Sequence, residues 1–204
     1  MKLNNMKIKK KRIDLALQGG GSHGAFTWGV LDRLLEEESL EIAGVSGTSA
    51  GAMNAAVMAS GYANGSNAGA RDALQRFWKE VSDGARFSPF KRTFVDMMVG
   101  RWSLDQNPSF QVAELIGRII SPYDMPGDIP NPLKAILEKT IDFEALRSGT
   151  MKVFVTATNV RTGRGKLFRN KDIHPDVLMA SACVNGFQFP FKSGVGRLSA
   201  AVTG

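Results

Sequence analysis

The chain has 204 residues, of which 43% are hydrophobic and 22% are charged. These values are typical of a globular domain and exclude disordered and fibrous classes. The formal net charge of +7 is compatible with binding to nucleic acid or to an anionic membrane surface. The densest basic cluster lies in residues 1–12, which we interpret as a solvated leader. No aromatic residues are interleaved with its lysines, so we expect no nucleic-acid binding.

The chain carries no recognisable targeting segment. Its N-terminus lacks the apolar stretch of a secretory signal peptide, and no apolar run reaches the roughly 18 residues of a spanning helix. The single cysteine, Cys183, excludes an internal disulfide framework and a cysteine-based zinc site. We therefore expect a soluble protein, either cytoplasmic or peripheral at a membrane.

Two strand–turn–helix units are predicted in the first third of the chain. In order, they comprise a strand at 13–17, a glycine-rich turn at 19–24, a helix at 26–35, a strand at 42–45, a turn at 46–51 and a helix from Ala52 that stops near Gly61. A polar loop at 62–69 and a helix at 72–81 follow. Repeated strand–turn–helix units predict an α/β fold with a mainly parallel sheet. Both glycine-rich turns should lie at the carboxyl edge of that sheet, where such folds place their chemistry.

The second half of the chain is less regular. Residues 87–132 mix aromatic residues and methionines with prolines, and we interpret them as packed short helices rather than as a lid, a groove wall or a dimer surface. A strand at 153–160, a turn at 162–165 and a return strand at 166–168 form a predicted hairpin. A last helix is predicted from Pro175 to Cys183.

The second turn matches Gly-x-Ser-x-Gly, with Gly47, Thr48, Ser49, Ala50 and Gly51 in order. This pattern is typical of a nucleophile elbow, in which a serine lies on a tight strand-to-helix turn and glycines relieve the crowding around it. The serine oxygen is then exposed above the positive end of the helix.

The first turn also fits this pattern, with Ser22 as its serine. An apolar strand before Ser49, and small residues that let the following helix pack closely, favour Ser49 as the nucleophile. Successive glycines suit another task, because their backbone amides can converge on an anion such as the oxyanion of acyl transfer. Gly19, Gly20, Gly21, Ser22, His23 and Gly24 are therefore the predicted oxyanion hole.

The two turns together resemble the patatin-like phospholipase family, and the resemblance spans nearly the whole chain. It implies a three-layer α/β/α domain, here residues 13–204, that cleaves fatty-acyl esters of lipids through a Ser–Asp dyad. It further implies that Ser49 is the nucleophile, that no histidine, metal or cofactor takes part in catalysis, and that a lipid ester is the substrate. Peripheral membrane contact fits such a substrate, whereas the oligomeric state is left open.

The family's catalytic aspartate is not identified in this sequence. The family carries it in an Asp-Gly-Gly or Asp-Gly-Ala motif after the helix that matches 177–183, but no acidic residue follows Cys183 here. The domain is therefore expected to be incomplete at its C-terminus, through truncation or a shifted reading frame. Asp83 begins an Asp-Gly-Ala sequence, but it precedes the strand at 153–160, and we interpret it as part of a helix-ending turn.

Three alternatives stay open at this point. A catalytically inactive lipid-binding or membrane-binding module could share the fold. A Ser-His-Asp triad would need His23 or His174, both of which have simpler interpretations as a loop residue and an exposed turn residue. Finally, Gly19, Gly21 and Gly24 match the dinucleotide fingerprint, although the second strand lacks the acidic residue expected at its end.

Overall fold

The computed structural model describes residues 10–85, 131–159, 162–182, 191–193 and 196–199. Its strands are β1 (Lys11–Leu17), β2 (Leu40–Gly47), β3 (Lys152–Asn159), β4 (Gly165–Arg169), β5 (Phe191–Ser193) and β6 (Gly196–Ser199). Its helices are α1 (Gly24–Leu35), α2 (Ala50–Ala85), α3 (Pro132–Thr140), α4 (Phe143–Ser148) and α5 (Pro175–Ala182), with short 3₁₀ turns at Gly21–His23 and Asn170–Asp172. Residues 87–130 of the irregular region predicted at 87–132 lie outside the described residues, and so does Cys183.

The sheet is parallel where the two glycine-rich turns leave it. β1 pairs with β2 and β2 pairs with β3, both in parallel, whereas β4, β5 and β6 join by antiparallel pairing. This arrangement confirms the predicted α/β class with a mainly parallel sheet, and the helices around the sheet are consistent with the three-layer α/β/α prediction. Leu17 is the partner of Gly47, so both turns leave the same carboxyl edge.

Side-chain alternation along the strands creates one apolar face. Ile13 lies opposite Ile42 and Leu15 opposite Val45, and Val153 continues the same face on β3. The register between β1 and β2 shifts at Ile13 and Asp14, so that Ala43 has no partner. Because side chains alternate with a period of two, this extra residue keeps both Ile42 and Val45 on the core face. The opposite face carries Arg12, Asp14, Ser46 and Lys152 beside a cavity of about 530 Å³.

Helix α2 is a helical hairpin rather than one straight rod. Its helical geometry breaks only at Gly65 and Ser66, and the chain beyond them returns along the first half. A side chain on Gly61 would overlap the carbonyl oxygen of Gly69, which shows how closely the two halves approach. The predicted stop near Gly61 and the predicted loop at 62–69 were therefore wrong. Gly61 permits packing there, and the reversal needs two residues instead of eight.

The other elements differ from prediction mainly at their ends. β2 extends from Leu40 to Gly47 rather than over 42–45, because the residues at both its ends still pair with β1. β1 begins at Lys11, so the last two residues of the predicted leader belong to the sheet. None of the helices within the described residues is both long enough and apolar enough to cross a membrane.

The hairpin of β5 and β6 lies beyond the carboxyl end of β2. Thr158 pairs with Gly165 of β4 on one side and with Ser199 of β6 on the other. β6 therefore lies along the same edge of β3 as β2. The pairing of β2 with β3 ends at Val155, and β6 pairs beyond that point. This placement brings the hairpin to the edge of the sheet from which the two glycine-rich turns leave.

Candidate active site

The turn between β2 and α2 has the geometry of a nucleophile elbow. Ser49 lies at its tip with a φ of 56°, a left-handed conformation that non-glycine residues rarely adopt. A side chain on Gly47 would overlap the backbone of Gly51, and one on Gly51 would overlap the carbonyl oxygen of Leu17. Both glycines of the pattern are thus required by space, because the obstructing atoms belong to backbone that cannot rotate away.

Backbone hydrogen bonds fix the elbow on both sides of Ser49. The Gly51 N–H donates to the Thr48 carbonyl at 3.0 Å, and the Met53 N–H donates to the Ser49 carbonyl at 3.1 Å. The Ser49 N–H donates to the side-chain oxygen of Ser181 at 2.9 Å. The half-buried Ser49 therefore stands at the N-terminus of α2, where the helix dipole favours developing negative charge.

The first glycine-rich turn requires glycine for a different reason. Gly20 has a φ of 145° and Gly21 a φ of 57°, and no atom lies within 4 Å of where a Gly21 side chain would begin. Backbone conformation, not space, demands glycine at Gly21. The His23 N–H and the His23 Nδ1 both contact the Gly20 carbonyl at 3.1 Å. The exposed imidazole therefore folds back on its own loop.

The two turns are in contact. A side chain on Gly19 would begin 3.0 Å from the Cβ of Ser49 and 3.1 Å from the Thr48 carbonyl oxygen. One on Gly24 would begin 2.8 Å from the Cβ of Ala50. The predicted oxyanion segment and the predicted elbow thus lie against each other, although 30 residues separate Gly19 from Ser49 in the sequence.

The geometry also separates the two serines that fit the elbow pattern. Ser22 lies in the exposed 3₁₀ turn Gly21–His23. Among the residues that the structure describes, positive φ values outside glycine occur at Ser49 and Ser66, and not at Ser22. Ser49 alone of the two pattern matches has the left-handed backbone of an elbow serine.

A buried hydrogen-bond network anchors the exit of the glycine loop. The Asn54 side chain, fully buried in α2, donates to the Gly24 carbonyl at 2.9 Å and accepts from the Trp78 indole at 2.8 Å. This places the indole against Gly24, where a larger residue would collide with it. Asn54 therefore ties α1, which starts at Gly24, to both halves of α2.

The other candidate residues lie in less direct relation to Ser49. The return of α2 brings Asp83 back toward the end of the hairpin where α2 begins, and its carboxylate accepts from the Lys79 ammonium group at 2.7 Å. His174 precedes α5, and its Nδ1 lies 3.8 Å from a carboxylate oxygen of Asp176. Ser181, at the other end of α5, is the residue that meets Ser49. A rise of 1.5 Å per residue separates the two ends by about 10 Å, which disfavours His174 as a base.

A model of the patatin-like phospholipase family matches residues 15–192. The chain belongs to the patatin-like phospholipase family. No curated protein matches the sequence. Among solved structures the chain is similar to VipD from Legionella pneumophila, with 14% sequence identity and a TM-score of 0.41. That match covers 94% of this chain and 45% of VipD, so the chain spans less than half of the VipD length.

The patatin-like phospholipase family is in general a family of lipid acyl hydrolases. The family match covers both glycine-rich turns and ends at Lys192, one residue before β5 ends. It replaces the dinucleotide-binding hypothesis for Gly19, Gly21 and Gly24.

Two residues that hold the site together were not predicted from the sequence, namely Asn54 and Ser181. Each is a polar residue inside an otherwise apolar helical stretch. Because buried polar groups need hydrogen-bond partners, such an interruption is the signal that could have indicated them. Their partners could not have been named, since these lie far away in the sequence.

Proposed function

We propose that this patatin-like domain hydrolyses fatty-acyl esters of phospholipids or related lipids, with Ser49 as its nucleophile. The observation that carries the proposal is the contact of Gly19 with Ser49, which sets the glycine loop against the elbow. An acyl hydrolase needs a nucleophile and anion-stabilising amides within reach of one carbonyl group. Substrates of this class also fit peripheral contact with a membrane.

In the proposed reaction, the Ser49 hydroxyl attacks the ester carbonyl and forms a tetrahedral intermediate. Backbone amides of Gly20, Gly21 and Ser22 stabilise its oxyanion, since the His23 N–H already donates to the Gly20 carbonyl, and the N-terminus of α2 adds favourable potential. The Ser49 amide itself donates to Ser181 and is therefore not one of these donors. Collapse of the intermediate breaks the ester C–O bond, and the leaving alcohol takes up the proton that the Ser49 hydroxyl gave up. Water then hydrolyses the acyl-enzyme, which releases the fatty acid and restores the Ser49 hydroxyl.

The base of the proposed Ser–Asp dyad is not identified among the described residues. Asp83, the low-ranked candidate, is hydrogen-bonded to Lys79 on the same helical turn. Loss of the activating partner of a serine nucleophile typically lowers turnover by about 10⁴-fold, while oxyanion stabilisation and binding retain a residual rate. Weak turnover with selective labelling of Ser49 is therefore the expected behaviour of this chain.

Ser49→Ala and Ser22→Ala test the nucleophile directly. We expect a fluorophosphonate probe to label the wild-type chain and Ser22→Ala, and to leave Ser49→Ala unlabelled. Hydrolysis of a fluorogenic acyl ester should follow the same order. Labelling that persists in Ser49→Ala would contradict the proposal. Absence of any labelling, together with phospholipid vesicle binding that survives Ser49→Ala, would favour the inactive binding module.

Asp83→Asn tests the remaining acidic candidate. Because the Asp83 carboxylate is paired with the Lys79 ammonium group, we expect ester turnover to stay within about twofold of wild type. The Ser49→Ala variant supplies the background rate. A fall to that background, in a chain whose circular dichroism is unchanged, would make Asp83 the base.

A further inference from the structure

Ser181 is a polar residue in an apolar setting. It lies in the last turn of α5 with a relative exposure of 0%, and its neighbours Met179, Ala180 and Ala182 belong to the apolar core. Burying a hydroxyl without a partner would cost free energy, so a serine at this position must satisfy its hydroxyl locally.

Both hydrogen-bonding capacities of Ser181 are used. Its hydroxyl donates to the Thr156 carbonyl of β3 at 2.7 Å and accepts the Ser49 N–H at 2.9 Å. The direction of each bond is determined, because a carbonyl cannot donate and an amide N–H cannot accept. One buried hydroxyl therefore connects β3, α5 and the elbow.

We propose that Ser181 is a positioning residue for Ser49, an inference that rests on the proposed role of Ser49 as nucleophile. Ser49 adopts a left-handed φ of 56°, which persists only when surrounding contacts determine it. The bond from its N–H to Ser181 is one such contact, and Thr156 fixes the acceptor in turn. Loss of the hydroxyl frees the elbow to relax and moves the Ser49 oxygen away from the glycine loop.

The chain offers a matched control in Ser60. Its side chain is also buried, at 3% exposure, and its oxygen accepts the Asp142 N–H at 2.9 Å. Ser60 lies in α2 beside the close contact of Gly61 with Gly69, away from the elbow. Ser60→Ala and Ser181→Ala thus remove the same group and leave one amide without its acceptor. They differ in whether that amide belongs to the nucleophile, and Ser181→Ala also removes the hydrogen bond to the Thr156 carbonyl.

The test compares fluorophosphonate labelling rates, kcat and KM of both alanine variants in the full chain, well below their unfolding midpoints. For Ser181→Ala we expect labelling and kcat to fall on the order of 10²-fold, because small displacements of reacting atoms have effects of that size, while KM stays unchanged. The labelling rate and kcat of Ser60→Ala should stay within about twofold of wild type, since the amide that loses its acceptor is that of Asp142, at the start of α4. Equal labelling rates in the two variants would overturn the positioning role.

A second pair keeps the test decisive if Ser181→Ala does not fold. Ser181→Thr and Ser181→Val have nearly the same shape and differ in the hydroxyl, so only Ser181→Thr should label well. Equal labelling of this pair would also overturn the positioning role. Failure of the wild-type chain to label at all would instead overturn the nucleophile proposal.

Discussion

The two ends of the α2 hairpin use the same structural devices for different purposes. At one end Gly47 lets β2 approach the start of α2 and Gly51 lets α2 approach β1, and at the other Gly61 and Gly69 let the two helical halves meet. A buried serine accepts a backbone N–H at each end, Ser181 at the elbow and Ser60 beside the reversal. The glycines and serines alone do not mark the active site. What distinguishes the elbow is the glycine loop that lies against it.

The two ends of the hairpin also share an unusual backbone conformation at a serine. Ser49 has a φ of 56° and Ser66 a φ of 54°, so each end of the hairpin contains a serine with a positive φ, which non-glycine residues rarely adopt. Ser66 is exposed and follows Gly65 at the break in the helical geometry, whereas the Ser49 N–H donates to the buried Ser181 hydroxyl. Ser49 thus differs from Ser66 in that the glycine loop lies against it and a buried serine hydroxyl accepts its N–H.

The largest expected effect comes from adding one methyl group at either close contact. Gly51→Ala and Gly61→Ala each drive a Cβ into a backbone carbonyl oxygen, so we expect each to lower the free energy of unfolding by about 3 kcal/mol. Urea denaturation measures both. Among molecules that remain folded, Gly51→Ala should label poorly with a fluorophosphonate and Gly61→Ala should label normally. Equal labelling would erase the distinction between the two ends.

A smaller effect is expected from Asn54→Ala. The change leaves the Gly24 carbonyl and the Trp78 indole N–H without their partner in a buried setting, which should lower the free energy of unfolding by about 2 kcal/mol. Labelling of Ser49 should also slow, because the glycine loop loses its tie to α2. A variant that is destabilised and labels at the wild-type rate would show that Asn54 serves packing alone.

The smallest effect is expected at the far end, from Asp142. Its carboxylate caps α4, and hydrogen bonds from the Ala145 N–H and then from Asn64 hold its pKa below the usual value. A lowered pKa stabilises the fold above the ordinary aspartate pKa of about 4, and this contribution disappears as the pH falls through the lowered value.

Asp142→Ala should therefore lower the free energy of unfolding by about 1 kcal/mol at neutral pH, and the difference from wild type should shrink in acid. Asp142→Asn keeps a capping oxygen without the titration and serves as the control. Urea denaturation between about pH 3 and pH 7 checks both variants. A difference that is constant across this range would exclude the carboxylate as its source. Labelling of Ser49 should not change in either variant.

Much of the elbow was predictable because its determinants are local. An apolar strand, a glycine-rich turn and a helix of small residues follow one another in sequence, so their order revealed both turns and their shared sheet edge. The choice of Ser49 over Ser22 also rested on local context, and it stays a prediction about function.

Other features depend on partners that are distant in the sequence. Gly61 looks like a helix end because glycine is a poor helix former, yet it is required by the approach of Gly69, which only the folded hairpin reveals. Likewise, nothing near Ser181 in the sequence indicates that its partners are Thr156 and Ser49. The ladder with β1 similarly lengthened β2 beyond its apolar centre.

The most direct test of the central claim is to identify which serine reacts with a fluorophosphonate in the wild-type chain. Tandem mass spectrometry of the proteolysed adduct distinguishes Ser49 from Ser22, because the two lie in separate turns. We expect the adduct on Ser49, whose N–H donates to Ser181 and against which the glycine loop lies. An adduct on Ser22 would contradict this expectation, since the first turn would then supply the nucleophile instead of the oxyanion hole.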